Sequence, residues 1–217
     1  KGELDKAHNY YSRSMEIIEK LGDKNRTGHA LLSLGNIYEA KQNIDGALSC
    51  YEESYSISKE INDTYAAGYA QMGIGNVYTK MSRYKEAIEC YSLSLETRKE
   101  IEDKNGIAHL YHNIGVVYEK MYDYESALKS LEKALTLTEK LEERYASAVT
   151  LQHMAEIYRI MGNYDKSIKL QHAALKTAEN INQNDFIIVS LNRLGLTYYM
   201  NDDFENSIKY LKKMSSL

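Results

Sequence analysis

The sequence predicts an all-α fold, a solenoid of antiparallel helix hairpins, and three observations carry that prediction. First, a block of residues recurs every 40 positions without insertion or deletion. Leu34-Gly35-Asn36-Ile37-Tyr38 returns as Ile74-Gly75-Asn76-Val77-Tyr78, Ile114-Gly115-Val116-Val117-Tyr118, Met154-Ala155-Glu156-Ile157-Tyr158 and Leu194-Gly195-Leu196-Thr197-Tyr198. A fixed period of this length marks stacked supersecondary units. Second, each unit holds two stretches whose apolar residues fall at three- and four-residue spacing, the mark of amphipathic helices. Third, the chain of 217 residues contains no Pro, so helices can run uninterrupted.

The elements follow in order. Residues 2–20 read as the second helix of a hairpin whose first helix is missing. First helices are expected at 24–41, 64–81, 104–121, 144–161 and 184–200, and second helices at 44–60, 84–101, 124–141, 164–181 and 204–217. Asn43, Asp123, Asn163 and Asp203 stand just before second helices, where a short polar side chain can cap the first free N–H groups. Arg83 breaks that series, and Asp63 and Asp103 are expected to cap first helices. Without Pro, the turns are expected to be made by Gly, Asn and Asp. Two further series mark the second helices: Ala7, Ala47, Ala87, Ala127, Ser167 and Ser207, and Ile44, Tyr84, Tyr124, Tyr164 and Phe204. The glycine of each Leu-Gly or Ile-Gly pair lies mid-helix, at a cost of ~1 kcal/mol against Ala. It is expected to admit the partner helix, meeting Ala47, Ala87 or Ala127, with Tyr38, Tyr78, Tyr118 and Tyr158 filling the gap beside them.

The reading is of a single array over 1–217: a partial repeat 1–22, then repeats at about 23–62, 63–102, 103–142, 143–182 and 183–217. Neither end carries the polar capping repeat that solenoids need. The expectation is therefore a fragment of a longer protein, or open ends through which a homo-oligomer assembles.

Composition narrows the functions. Hydrophobic residues make up 43% and charged residues 27%, which fits a folded chain rather than a disordered one. A net charge of −4 argues against nucleic-acid binding, which needs a clustered basic face. No apolar run approaches the ~20 residues of a membrane span. Cys50 and Cys90 occupy equivalent places in neighbouring repeats. Stacked helices stand ~8–10 Å apart, beyond the ~7 Å reach of a disulfide. They are read as reduced, half-buried packing residues, which fits a cytoplasmic location. The sequons at Asn25-Arg26-Thr27 and Asn62-Asp63-Thr64 are read as accidental, since nothing else points to secretion. Most of the 20 Tyr recur at repeat positions and read as packing.

Leu31-x-x-Leu34-Gly35-x-x-Tyr38 followed by Ala47-x-x-x-Tyr51 resembles the tetratricopeptide repeat, over essentially the whole chain. The usual unit is about 34 residues, so this one is longer. Lys59 and Lys99 stand where the family's Pro is usual, and Leu31, Gln71, Tyr111, Leu151 and Leu191 where its Trp is usual. These departures resemble the long-repeat members: Partner-of-Inscuteable-like adaptors, kinesin light chains and bacterial peptide-pheromone receptors. The resemblance implies a right-handed superhelix whose first helices line a concave groove.

Counting from the Leu-Gly pair maps that groove. Asn36, Tyr69, Asn76, Lys80, His109, His112, Asn113, His153, Glu156, Arg159, Asn192, Arg193 and Tyr199 are the candidate partner-binding residues; Leu32, Gly73 and Gln152 also map there. An Asn amide offers a donor and an acceptor, and so can grip one peptide unit of an extended chain at N–H and C=O. The long-repeat relatives imply such an asparagine ladder, here broken at Val116, Glu156 and Leu196. The competing reading is that these Asn meet helix-surface needs. Lys80, Lys120, Arg159 and Arg193 face Glu39, Glu119 and Glu156; unpaired, the cations would favour an acidic peptide, and paired across repeats they would not. The carboxylate clamp of chaperone-binding members is matched at Asn76 and Asn113, but Met72, Val149 and His153 occupy its basic positions.

No reactive constellation survives inspection. His109, His112, His153 and Glu156 have types that can bind zinc, yet no His-Glu-x-x-His signature accompanies them. They read as groove-lining histidines without metal, able to make binding pH-sensitive. Gly73-x-Gly75 follows no strand and is no nucleotide loop. The sequence therefore predicts no enzyme and no cofactor. It predicts a protein-protein interaction scaffold or sensor that binds a peptide or partner segment, with no nucleic acid and no membrane. The alternatives are a self-associating structural array, or a regulatory module of a signalling protein whose effector domain lies outside this chain.

Overall fold

The computed structural model describes residues 20–216 together with Lys6, Tyr10, Tyr11, Arg13, Ser14 and Ile18. Those described before Gly22 are helical; Ala7 and much of the helix expected at 2–20 lie outside the described residues. Then follow α1 (Lys24–Ala40), α2 (Ile44–Glu60), α3 (Thr64–Lys80), α4 (Tyr84–Glu100), α5 (Lys104–Lys120), α6 (Tyr124–Lys140), α7 (Arg144–Ile160), α8 (Tyr164–Asn180), α9 (Asn184–Met200) and α10 (Phe204–Ser215). No strand occurs among the described residues. The odd-numbered helices are the first helices of the repeats.

Most expected bounds hold to within a residue, and the early helix ends share one cause. After α1, Gln42 adopts φ 60°, its N–H bonds to Glu39 O at 3.1 Å, and the Asn43 N–H bonds to Tyr38 O at 2.8 Å. This pair of bonds is the Schellman closure of a helix. The residue that closes one helix then caps the next: Asn43 Oδ1 accepts from Gly46 N at 3.1 Å. Asp63 does the same for Ala66 N at 2.9 Å, Asp103 for Gly106 N at 2.9 Å, and Asp123 for Ser126 N at 3.1 Å. Asn163 and Asp203 also cap. Arg83 makes no such bond, nor do Glu143 and Gln183.

The expected turn chemistry needs correcting. Among the described residues, positive φ falls on Gln42, Ser82, Glu102, Tyr122 and Glu142 as well as on Asn62, Asn182, Asp202, Gly22 and Gly162. The closing hydrogen bonds over-determine the turn, so side chains with a Cβ accept a left-handed backbone at a cost of roughly 1–2 kcal/mol.

The chain divides into two compact units, Lys1–Asn113 and Ile114–Leu217, with the boundary inside α5. The N-terminal unit packs Leu32, Ala47, Tyr51, Ala66, Ala70, Ile74 and Val77 into one core, with Ala30, Leu31 and Leu34 packed nearby against Ile18, Cys50 and Ile57. Buried serines tie its helices: Ser54 Oγ donates to Gly28 O at 2.9 Å, and Ser94 Oγ to Gly68 O at 2.7 Å. Cys50 and Cys90 are unpaired and half-buried, and burial pushes both thiols up. In the C-terminal unit, Ala127, Leu131, Met154 and Ile157 form one cluster, and Leu175, Ala178, Ile187, Leu191 and Leu194 another.

The mid-helix glycines do admit the partner helix, but the residue they make room for is not chiefly the expected alanine. A Cβ on Gly35 would lie 2.5 Å from the Tyr51 ring, and one on Gly75 2.5 Å from the Tyr91 ring. On Gly115 it would meet Leu131 at 2.7 Å before the Ala127 carbonyl at 3.2 Å. The bulky side chain one turn beyond the alanine reaches furthest across the hairpin and claims the space.

Candidate partner-binding faces

In the N-terminal unit, α1 and α3 touch, and their first-helix face continues onto the start of α5. Tyr91 is 2% exposed, and its hydroxyl, reaching up from α4, donates to Asn76 Oδ1 at 2.8 Å. Asn113 Nδ2 donates to the same oxygen at 3.2 Å, joining α3 to α5. The Asn76 carbonyl thus has both lone pairs engaged, which leaves its Nδ2 for a partner, and leaves the Asn113 carbonyl. Tyr51 is the counterpart of Tyr91, with its hydroxyl 2.7 Å from Asn36 Oδ1 and 3.0 Å from Glu39 Oε2. Burial and the Glu39 carboxylate raise the Tyr51 hydroxyl far above its usual range, and burial pushes Tyr91 up to about 12.

The remaining candidates here are mostly engaged. Lys80 Nζ pairs with Glu39 at 2.8 Å, across one repeat. Tyr69 is half-buried, with the Arg98 guanidinium 3.9 Å from its ring centre and Tyr65 on its flank at 4.7 Å. His109 is exposed, and His112 is half-buried. Leu32 and Gly73 map to the groove from sequence but are buried: Leu32 is part of the core, and a Cβ on Gly73 would meet the Tyr51 ring at 2.7 Å.

In the C-terminal unit, the charges of the first-helix face are likewise paired. His153 Nδ1 lies 2.8 Å from Glu119 Oε2. Arg159 grips Glu156 with two nitrogens, Nε to Oε2 at 2.9 Å and Nη2 to Oε1. That bond to Arg159 holds the Glu156 carboxyl below its usual range despite partial burial. Arg159 Nη1 also approaches Met200 Sδ at 2.9 Å. Arg193 is half-buried and adds its field to Glu156. Asn192 is exposed, and Tyr199, 61% exposed, meets Phe204 edge-on. Gln152 is buried instead of facing a partner, donating to Ser190 Oγ at 2.8 Å. Beside Tyr199, Leu196 and Met200 stand exposed, so this face is more apolar than the N-terminal one.

The buttressing tyrosines escaped the sequence reading, although a signal for them exists. Position 15 after each groove residue follows its chemistry: Asn36 with Tyr51, Asn76 with Tyr91, Val116 with Leu131, Glu156 with Gln171, Leu196 with Leu211. An asparagine stands where a buried hydroxyl needs a partner, and an apolar residue where none does.

Among the described residues, no three His, Cys, Asp or Glu side chains lie close enough to hold a metal ion. None of the described helices is long and apolar enough to cross a membrane.

A family model described as a tetratricopeptide repeat matches residues 1–60, 67–140 and 146–215. No curated protein matches the chain. Among solved structures, BtubC (BKLC) from P. vanneervenii is similar at TM-score 0.86 and 18% identity, covering 98% of this chain and 90% of that one. A Rap protein complexed with Competence and Sporulation Factor gives TM-score 0.80 at 14% identity, over 99% of this chain and 70% of that one. A signal transduction ATPase with numerous domains and a tetratricopeptide repeat sensor, from Pyrococcus horikoshii, gives 0.82 at 17% identity, over 95% of this chain and 33% of that one. At these identities the likeness is one of fold.

Proposed function

Because the chain belongs to the tetratricopeptide repeat family, we propose that it is a binding module whose first-helix faces take a peptide or partner segment, and that it does so without chemistry of its own. One observation carries the reading. Asn76 and Asn113 divide the work of a single amide: the Asn76 carbonyl is held by Tyr91 and Asn113, leaving a donor, while Asn113 keeps its acceptor. Together they match the C=O and N–H of one peptide unit. The tyrosine below holds the donor in place before the partner arrives, which lowers the ordering cost of binding. The Rap neighbour, solved with Competence and Sporulation Factor, supports a peptide as the class of ligand.

A random peptide library tests this with purified wild-type chain, Asn76→Asp and Asn113→Ala. Asn76→Asp keeps an oxygen for Tyr91 and Asn113 but removes the outward donor. Peptides enriched on wild type should lose at least about tenfold in affinity on Asn76→Asp, the ~1.4 kcal/mol of one hydrogen bond. Equal binding to both variants would refute recognition at this pair. No enrichment at all would shift the reading to a folded partner.

A second reading, a sensor within a larger protein, is supported by the Pyrococcus horikoshii neighbour, of which this chain matches 33%. Self-association has support from Phe204 and Ile208 on α10, which are 52% and 53% exposed. Sedimentation across a concentration series checks it, and a monomer throughout would exclude it.

A further inference from the structure

We propose that the cavity beside the α2–α3 turn is a binding site for a guanidinium group. The cavity holds about 210 Å³ and is lined by Tyr55, Ser58, Asp63, Gln71 and Glu100, among others. Its volume is about seven times the ~30 Å³ share of one water. Two of its polar atoms are buried and have no hydrogen-bond partner: Ser58 Oγ and Gln71 Oε1, on residues 1% and 6% exposed. Such atoms are rare in folded proteins and call for a partner. None of the first-helix candidates lines this cavity.

The chemistry of the lining selects the ligand. Gln71 Oε1 can only accept, and its own Nε2 is turned towards the Tyr55 hydroxyl at 3.3 Å. The ligand must therefore bring donors. The lining also carries two carboxylates, Asp63 and Glu100, against one cation, Lys59, so a donor with positive charge is favoured.

The next repeat points to a guanidinium. Forty residues after Ser58 stands Arg98, itself 1% exposed. Its guanidinium pairs with Asp103, the counterpart of Asp63, and lies over the Tyr69 ring at 3.9 Å. That arginine reaches its place because position 106 is glycine: a Cβ there would lie 2.1 Å from Nη1. Ala66 occupies the equivalent position at the first junction, so an incoming guanidinium seats instead on the Ala67–Gln71 side, where the unpartnered oxygens are. The group can belong to a free small molecule or to an arginine of a partner chain.

Calorimetric titration of the full chain with methylguanidinium, citrulline, L-arginine and the capped peptide Gly-Arg-Gly tests the assignment. Saturable binding of methylguanidinium is expected, with citrulline, its uncharged counterpart in shape, at least tenfold weaker. Gln71→Leu should weaken methylguanidinium at least tenfold while keeping the wild-type circular dichroism, since it removes an unpaired buried acceptor. Ser58→Arg combined with Ala66→Gly installs the chain's own guanidinium and should abolish binding while raising Tm. Tighter binding of the peptide than of L-arginine marks a partner chain as the source, and the reverse marks a small molecule. Absence of saturable methylguanidinium binding, equal binding of citrulline, or full affinity in Gln71→Leu would each overturn the site.

Discussion

The hydroxyl of Tyr91 donates to Oδ1 of Asn76 at 2.8 Å, joining a buried ring of α4 to the exposed face of α3. The bond serves stability and recognition together: it satisfies a buried hydroxyl, and it points the asparagine donor outwards.

A double-mutant cycle measures this coupling. Asn76→Val alone strands the Tyr91 hydroxyl with only Thr79 Oγ1, at 3.2 Å, and should cost about 1–3 kcal/mol. Tyr91→Leu alone leaves Asn76 with Asn113 and opens space above Gly75. The pair together recreates the Val116–Leu131 combination present in the other unit. Urea denaturation should show the double variant more stable than the sum of the singles by about 1 kcal/mol or more. Strict additivity would remove the coupling.

Alkaline pH should unfold the N-terminal unit through the same tyrosines. Both Tyr51 and Tyr91 titrate above their usual value of about 10, so the unfolded chain ionises first. Stability is unchanged below pH 10 and falls as pH rises towards 12, by up to about 1.4 kcal/mol per pH unit for each tyrosine. Tyr51→Phe with Tyr91→Phe should flatten that fall. A stability curve of unchanged slope between pH 10 and 12 in the double variant would count against it.

The turns offer a gain in stability. Glu142 holds φ 57° and is exposed. Glu142→Gly removes the strain of a left-handed side-chain-bearing residue, against some added entropy in the unfolded chain. A rise in stability of about 0.5–1 kcal/mol is expected in thermal or urea melts. Glu142→Val, which tolerates this backbone less well, should fall by a similar amount or more.

The buried pair Arg98–Asp103 should respond unequally to loss of its two members. Asp103→Ala leaves a 1% exposed guanidinium without its counter-charge and also removes the cap on Gly106 N. A loss of about 3–5 kcal/mol is expected. Arg98→Met keeps much of the packing against Tyr69 and leaves Asp103 its capping bond, so its cost should be clearly smaller. Equal losses on chemical denaturation would show that charge burial does not govern this junction.

The helices and their spacing are determined by the sequence alone, because helices, caps and closing turns depend on hydrogen bonds within a few residues. Asn43, Asp63, Asp103 and Asp123 announce their helices by type and place. The 40-residue period then implies the hairpins, since an amphipathic helix must bury its face against a neighbour. The binding faces are decided by tertiary structure. Whether Asn76 offers a donor or an acceptor depends on Tyr91 and Asn113, which lie 15 and 37 residues away. Helical counting cannot tell that Leu32, Gly73 and Gln152 turn inwards, because that depends on the bulk of side chains on the next helix. Nor can it show that Ser58 and Gln71 share a cavity while Arg98 fills its own junction, since a single Ala66-to-Gly106 difference between repeats sets how closely the backbone can be approached.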